Sequence, residues 1–238
     1  MVNDQANAAD LKFNTQEFAP FNYSENKKVG GPAADIIRRI CTDIKASCTM
    51  TSLPWRRAQD EVKSGKANAL FVIGWNQERA NWLHFSPPIL NTEYGFFINT
   101  QAMSGVGKVE DFDGKKIGTF GPSNTSRSLD KLSESLLRNI RIDMTPDDVA
   151  AFKKLGSNRL DAVYSNREAG RAIIRNHKIE NMDYAVTHKK LKYYIGFSKQ
   201  YTNEALVNQF NEQFIKLHQQ GVIQNILDPY KMEASELD

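Results

Sequence analysis

Residues 68–90 constrain this chain more than any other stretch. The apolar run 69–73 (Ala-Leu-Phe-Val-Ile) shows no polar alternation, the mark of a strand buried on both faces. It stops at Gly74, a residue type that lets backbone approach another molecule closely. Asn76 can cap a short helix with Glu78 in its first turn, and Arg79 follows. Phe85-Ser86-Pro87-Pro88 ends the unit, because proline cannot continue a helix and pushes its predecessor toward extended backbone. One arginine therefore stands just past the carboxyl end of a buried strand. In open α/β sheets ligands bind at that edge, and a guanidinium grips carboxylate or phosphate through two parallel hydrogen bonds. The plainer alternative is a surface arginine paired with Glu78 or another carboxylate.

A strand buried on both faces needs covering helices, and the chain supplies them. Leu11-Lys12-Phe13 opens a first strand, followed by the aromatic loop 18–23, whose rings are either a pocket wall or a plug beneath the loop. Residues 24–28 make a polar turn. Pro32 sits well in a first helical turn, and Ile36, Ile37 and Ile40 share one face. A strand at 49–53 and a helix at 56–64, stopped by Gly65, lead into the 68–90 stretch. A strand at 91–98 leaves this region, and 101–108 reads as a linker. A second series follows: a helical turn at 109–112 and strands at 116–120, 141–144 and 160–164. Helices are expected at 128–137, 145–155 and 165–175, with an edge strand at 184–186. The hydroxyl-rich loop 121–126 feeds the first of these helices. A strand at 193–198 carries the chain back. An amphipathic helix at 203–219 presents Leu206, Phe210, Phe214 and Leu217 on one face, a short helix holds Ile223, Ile226 and Leu227, and 231–238 is a polar tail. The fold class is α/β: two lobes, each a mostly parallel sheet flanked by helices, joined by two hinge strands. One lobe comprises residues 10–97 and 195–238, the other 98–194.

Composition narrows the partners. The 238 residues carry a net charge of +3 without a basic stripe, which gives nucleic acid no electrostatic footprint. No run approaches the roughly 18–20 apolar residues of a membrane span. The opening residues do not read as a signal peptide, although Ala6-Asn7-Ala8 has the small-x-small form that precedes a signal peptidase cut; residues 1–9 are expected to be disordered. Cys41 and Cys48 would lie about 10 Å apart on a continuous helix, too far to bond unless the chain turns back after Ile44. A disulfide, implying an oxidising compartment such as the periplasm, and two buried thiols both remain open. No histidine is near them in sequence, so no metal site is expected.

Several short motifs recur here in one order: Phe18-Ala19-Pro20-Phe21, Cys41 to Cys48, Lys63-Ser64-Gly65-Lys66-Ala67-Asn68-Ala69, Glu78-Arg79 before Phe85-Ser86-Pro87-Pro88, Gly114-Lys115-Lys116-Ile117-Gly118, and Asn158-Arg159-Leu160-Asp161-Ala162. With them the chain, over nearly all of residues 11–230, resembles the periplasmic solute-binding proteins of polar amino acid ABC importers. The resemblance implies a type II two-lobe binding protein that captures its ligand by lobe closure and hands it to a membrane permease. A monomer in the periplasm without cofactor or metal is expected. It also implies that Cys41 and Cys48 are bonded, as at the same spacing in a histidine-binding member. Phe18 is implied to stack on the ligand, Trp55 to form a second wall, backbone at Val72 and Gly74 to receive its amino group, and Arg79 to take its carboxylate. From the second lobe, Phe120 and the Ser123-Asn124-Thr125 loop are implied to close over it, with helix-start donors suited to an anion.

Departures from the pattern shape the ligand. Asn166 stands where α-amino-acid binders place an aspartate, and serines usual at Val72 and Gly74 are absent. Asparagine offers an acceptor but no charge. Arg56 and Arg167 flank pocket positions, and the expectation is an anion lacking an ammonium group, unless Glu17, Glu93 or Glu168 supplies the charge. Aromatic walls at Phe18, Trp55, Trp75 and Phe120 favour a flat or partly apolar body. Relatives with this fold include dehydratases, but only Glu168 is near enough to act, and His84, His177, His188 and His218 are dispersed without a nucleophile at a motif spacing. The chain therefore reads as a binding protein and not an enzyme. The ligand-sensing region of a receptor is the alternative.

Overall fold

The computed structural model describes residues 10–26 and 28–237. The tail 1–9 with its small-x-small triplet, Lys27 of the polar turn, and Asp238 lie outside the described residues. Contacts divide the chain into two units. Unit 1 is Met1–Asn91 with Lys192–Asp238, and unit 2 is Thr92–Leu191.

In unit 1, strand β1 (Asp10–Thr15) lies between β4 (Ser47–Ser52) and β5 (Ala69–Gly74), parallel to both. All six residues of β5 are buried, as its unbroken apolar run requires. Helix α1 (Pro32–Asp43) links β1 to β4 and buries Ile36, Ile37 and Ile40; α2 (Trp55–Lys63) links β4 to β5 and buries Ala58 and Val62. Gly31 precedes α1 at φ 100, and a Cβ there would stand 2.7 Å from the Phe21 carbonyl oxygen, so the turn requires glycine. The expected polar turn is a small hairpin of β2 (Tyr23–Glu25) and β3 (Lys28–Gly30). The end of β11 (Met182–Ser198) runs antiparallel to β5, and β6 (Leu83–Phe85) antiparallel to β11. Phe13, Phe197 and Phe210 pack ring against ring at the centre.

Helix α7 (Glu204–Gln219) is capped by Asn203, whose side chain accepts from the amides of Ala205 and Leu206. Its buried face is Val207, Phe210, Phe214 and Leu217. Leu206, expected on this face, is half-buried: positions 206 and 207 flank Phe210 at about 40° and 60° on either side, and Val207 is the one that is buried. Helix α8 (Val222–Leu227) buries Ile223 and Leu227. The polar tail beyond it is firmly placed. Ser235 is fully buried, its carbonyl shares a 2.7 Å hydrogen bond with His218 Nε2, and its hydroxyl donates to Asn91 Oδ1 at 2.8 Å. Asn91 N donates to Glu233 O, and Lys192 Nζ donates to Glu236 O.

In unit 2, β7 (Leu90–Asn99) pairs antiparallel with β10 (Ala162–Asn166); β8 (Lys116–Phe120) is parallel to both β10 and β9 (Arg141–Thr145). Alternation along β7 and β10 builds two cores. Phe96 and Tyr164 join Phe112 and Leu129 on one face, while Phe97 and Val163 join Phe152 and Leu155 on the other. Helix α4 (Asn124–Ser135) begins four residues before its expected start, because the Ser123 and Ser126 side chains cap each other's amides and draw the hydroxyl-rich loop into the first turn. Helices α5 (Asp148–Gly156) and α6 (Arg167–Asn176) follow β9 and β10. Strand β10 runs on to Asn166, which caps α6 through Ala169 N. The edge strand at 184–186 and the returning strand at 193–198 are a single strand, β11, since backbone pairing continues through the polar His188-Lys189-Lys190 stretch.

After α1 the chain turns back through Lys45 at φ 56, and Ala46 N donates to Cys41 O. This brings the Cys41 and Cys48 Cα atoms to 6.2 Å, and the pair is bonded. Closing so short a loop removes about 2.5 kcal/mol of unfolded-chain entropy. Replacing both cysteines by alanine is expected to lower the thermal midpoint by roughly 5–10 °C. An unchanged midpoint would show that the bond does not contribute.

Candidate ligand-binding site

The carboxyl end of β5 gathers one set of groups in unit 1. Asn76 caps the short helix α3 (Gln77–Ala80) by accepting from Arg79 N at 2.8 Å, which fixes where the arginine leaves the backbone. The Arg79 side chain is turned inward: the residue is only 5% exposed, Nη1 donates to Gly74 O at 2.8 Å, and the guanidinium stands 5.2 Å above the Trp55 ring. Gly74 pairs with Tyr193 across β5 and β11, and Tyr193 packs edge-on against Phe18. Phe18, Trp55, Gly74 and Arg79 are thus linked by direct contacts, with Tyr193 as an unforeseen member. The aromatic loop divides its roles, Phe21 being fully buried as a plug and Phe18 half-buried beside it. Both the Ala19–Pro20 bond in this loop and the Gly121–Pro122 bond before α4 are cis. Trp75 is 55% exposed. Arg56 is exposed on α2.

Val72 is the unusual member. Tyr194 pairs with Ile73 and Ile195 with Phe71, so Val72 is the extra residue of a bulge and drops out of the ladder. Its φ is 56, a region that a β-branched residue enters at a cost of about 1–3 kcal/mol. The bulge takes Val72 out of the pairing with β11 two residues before Gly74, the two positions at which the family resemblance implies backbone contacts to a ligand.

Unit 2 gathers a second set at the carboxyl ends of β8 and β10. Phe120 ends β8, half-buried. The Ser123 hydroxyl donates to Phe120 O at 2.7 Å and accepts from Ser126 N, so its proton is committed to the fold. The first-turn amides of Asn124 and Thr125 precede that cap, and Arg127 holds the Asn124 side chain. Asn166 is 1% exposed; its Oδ1 caps α6 and its Nδ2 donates to Thr92 Oγ1. Thr92 Oγ1 in turn donates to Glu168 Oε2 at 2.8 Å. Arg167 bonds Glu168 Oε1 and Glu93 Oε1, each at 2.7 Å, and Thr187 also donates to Glu93 Oε1. Burial alone would depress the Arg167 pKa, but the Glu168 hydrogen bond and the Glu168 and Glu93 charges more than offset it and raise it. The Tyr184 hydroxyl lies within electrostatic reach of Glu93 and Arg167 without a hydrogen bond of good geometry, and burial pushes its pKa up. Gly95 makes room for that phenol, since a Cβ there would stand 2.3 Å from its oxygen.

Residues 12–233 match the bacterial extracellular solute-binding proteins, family 3. The chain belongs to this family. It is 22% identical over 231 residues to the arginine-binding periplasmic protein of Mannheimia haemolytica, covering 94% of this chain and 92% of that one. Its fold is that of a histidine kinase sensor domain with similarity to periplasmic binding proteins (TM-score 0.84, 18% identity, 96% and 99% coverage). It is also that of an ancestral arginine-binding protein bound to arginine (TM-score 0.81, 19% identity, 93% and 98% coverage). The architecture is therefore the type II fold of periplasmic binding proteins. Among the described residues no helix is long and apolar enough to cross a membrane, and no group of three or more His, Cys, Asp or Glu could hold a metal.

One acid of this family member escaped the sequence altogether. Asp148, the first residue of α5, accepts from Ser165 Oγ at 2.8 Å, one residue before Asn166. Two adjacent aspartates after Pro146 are ordinary helix-start residues, and nothing in their spacing points across to β10. Burial pushes the Asp148 carboxyl up to about 6, with the charge of Asp147 adding and the Ser165 hydrogen bond opposing. A carboxyl raised on folding favours the native state while protonated, and that contribution is lost as pH climbs through about 6. Because part of the residue reaches solvent, about 3 kcal/mol is a ceiling. Asp148→Asn should therefore gain stability relative to the parent as pH rises from 4 to 7.5, by about 1–3 kcal/mol at the upper end. A difference between the two proteins that stays flat with pH in thermal unfolding would contradict this placement.

Proposed function

We propose that the chain is the periplasmic binding component of an ABC importer and captures a small ligand through its carboxylate. The observation that carries this reading is the buried Arg79 guanidinium beyond the carboxyl end of β5, braced by Gly74 O and the Trp55 ring. A guanidinium held in one place offers a carboxylate two parallel charge-assisted hydrogen bonds. Phe18, Tyr193 and the bulged backbone at Val72 flank the same strand end, and the first-turn amides of α4 with Phe120 form the corresponding set in unit 2. Family membership supports capture without chemical conversion of the ligand, and the arginine-binding relative supports the periplasm and an amino acid or a related acid as the ligand. The fold of a histidine kinase sensor domain favours a second reading, in which the same capture reports to a signalling module.

Arg79→Ala is expected to weaken ligand binding by about 2–5 kcal/mol in calorimetry, with Arg79→Lys intermediate because lysine keeps the charge and loses the fork. Unchanged affinity in the alanine variant would remove Arg79 from the site. The ligand itself is sought by a thermal-shift screen of the twenty amino acids, dicarboxylates, aromatic acids and phosphorylated compounds. A ligand at one hundred times its Kd adds about 2.7 kcal/mol of stability, a shift of several degrees.

A further inference from the structure

We propose that Met144 is a reversible oxidation site beside the start of α4, converted by peroxides to its sulfoxide, and that the buried Thr119 hydroxyl receives the new oxygen. The proposal concerns unit 2 alone and does not depend on the reading of Arg79. Among the described methionines Met144 is the only exposed one, at 49%. Met50, Met103 and Met182 are half-buried, and Met232 is buried. A thioether must meet an oxidant from solution, so exposure selects this sulfur.

Its surroundings are specific. A Cβ on Gly121 would stand 2.6 Å from Met144 Sδ and 2.9 Å from Ser126 Oγ, which places the thioether against the Gly121 backbone and next to the first turn of α4. Strand register brings a second group to the same place. Thr119 and Met144 are direct partners across β8 and β9. Ile117 and Ile142, two residues earlier in each strand, both pack on the core that holds Leu129 of α4, so Thr119 and Met144 project from that same face. Thr119 is fully buried; its carbonyl accepts from Thr145 Oγ1, but its own Oγ1 has no hydrogen-bond partner. A buried hydroxyl without a partner is costly, and a thioether is only a weak acceptor for it.

Oxidation supplies the acceptor. A lone pair on Sδ attacks one peroxide oxygen, and the S–O bond forms as the O–O bond breaks. With hydrogen peroxide the second oxygen takes the proton of the first and leaves as water. Sulfur gives up two electrons, and the peroxide takes them. An apolar side chain becomes a polar one carrying an acceptor oxygen. Neighbouring strands lie about 4.8 Å apart, and the unbranched methionine side chain can turn that oxygen toward Thr119. Its partial negative charge also stands at the favoured end of the α4 dipole. A thiol-dependent reductase returns the thioether. The state of Met144 thus acts on residues 119–126, which carry Phe120 and the α4 start.

The experiment exposes the protein to hydrogen peroxide and follows each methionine by peptide mass spectrometry. Met144 is expected to gain one oxygen about tenfold faster than Met50, Met103, Met182 or Met232, and to lose it on treatment with methionine sulfoxide reductases. Thermal unfolding then reads the role of Thr119. Thr119→Val should keep the midpoint of the reduced protein, because the hydroxyl has no partner to lose. On oxidation its midpoint should fall about 3 °C further than that of the wild type. Thr119→Ser, which keeps the hydroxyl, should follow the wild type; Thr119→Ala, read in the same way, serves if the valine variant does not fold. Met144→Leu should hold its midpoint at the peroxide dose that modifies Met144. Oxidation of Met144 no faster than of the half-buried methionines, or an equal fall in the wild type and Thr119→Val, overturns the proposal.

Discussion

A buried guanidinium is the constraint around which unit 1 is arranged. Arg79 is 5% exposed, and groups around it stand in for water, among them a carbonyl from Gly74 and the face of Trp55, with its backbone position fixed by Asn76. Each of these depends on something earlier in the chain. Gly74 must end β5 where it does, so the apolar run cannot be longer. Trp55 must open α2, so β4 must stop at Ser52 and Pro54 must precede the helix. The bulge at Val72 lies in the same strand, two residues before the carbonyl that Arg79 uses. A left-handed residue two positions before the end of β5 and a buried charge five positions after it flank one strand end, and the strand that carries them is buried along its whole length.

Unit 2 handles charge differently. Its polar groups are arranged in series, from Asn166 to Thr92 to Glu168 to Arg167 to Glu93 to Thr187, and each link fixes the orientation of the next. Hydroxyls are consumed along the way. Ser123, which the family resemblance implies as a ligand contact, has its proton on Phe120 O, and Thr92 has its proton on Glu168.

What was legible in the sequence follows a physical rule: patterns written within one element were readable, and pairings between elements were not. The β5 run, the Asn76 cap, the Pro32 start of α1 and the Gly65 stop of α2 are local, and each stands where the residues place it. The start of α4 was misplaced because apolar spacing was followed there, while the Ser123 and Ser126 caps that set it are polar. Nothing in Ala-Leu-Phe-Val-Ile announces a left-handed valine; the bulge is imposed by register with β11, more than a hundred residues away. Asn166 stands out in the sequence, but its partner Thr92 and the Glu168 beyond it do not, and the 76 residues between those two hide their contact. For the cysteines, residue spacing alone left bonded and free forms open, and the left-handed turn at Lys45 decides between them.

A polar C-terminal stretch is where an affinity tag is usually attached or a few residues trimmed. Residues 233–236 do not tolerate such treatment as a neutral edit. Their backbone and the Ser235 side chain hold Asn91 and Lys192, the last residue before the chain leaves unit 1 and the first after it returns. An extension or cut there acts directly on the two points at which the chain changes unit. For handling this protein the consequence is practical: a label or fusion here needs a spacer long enough to leave Ser235 seated against His218.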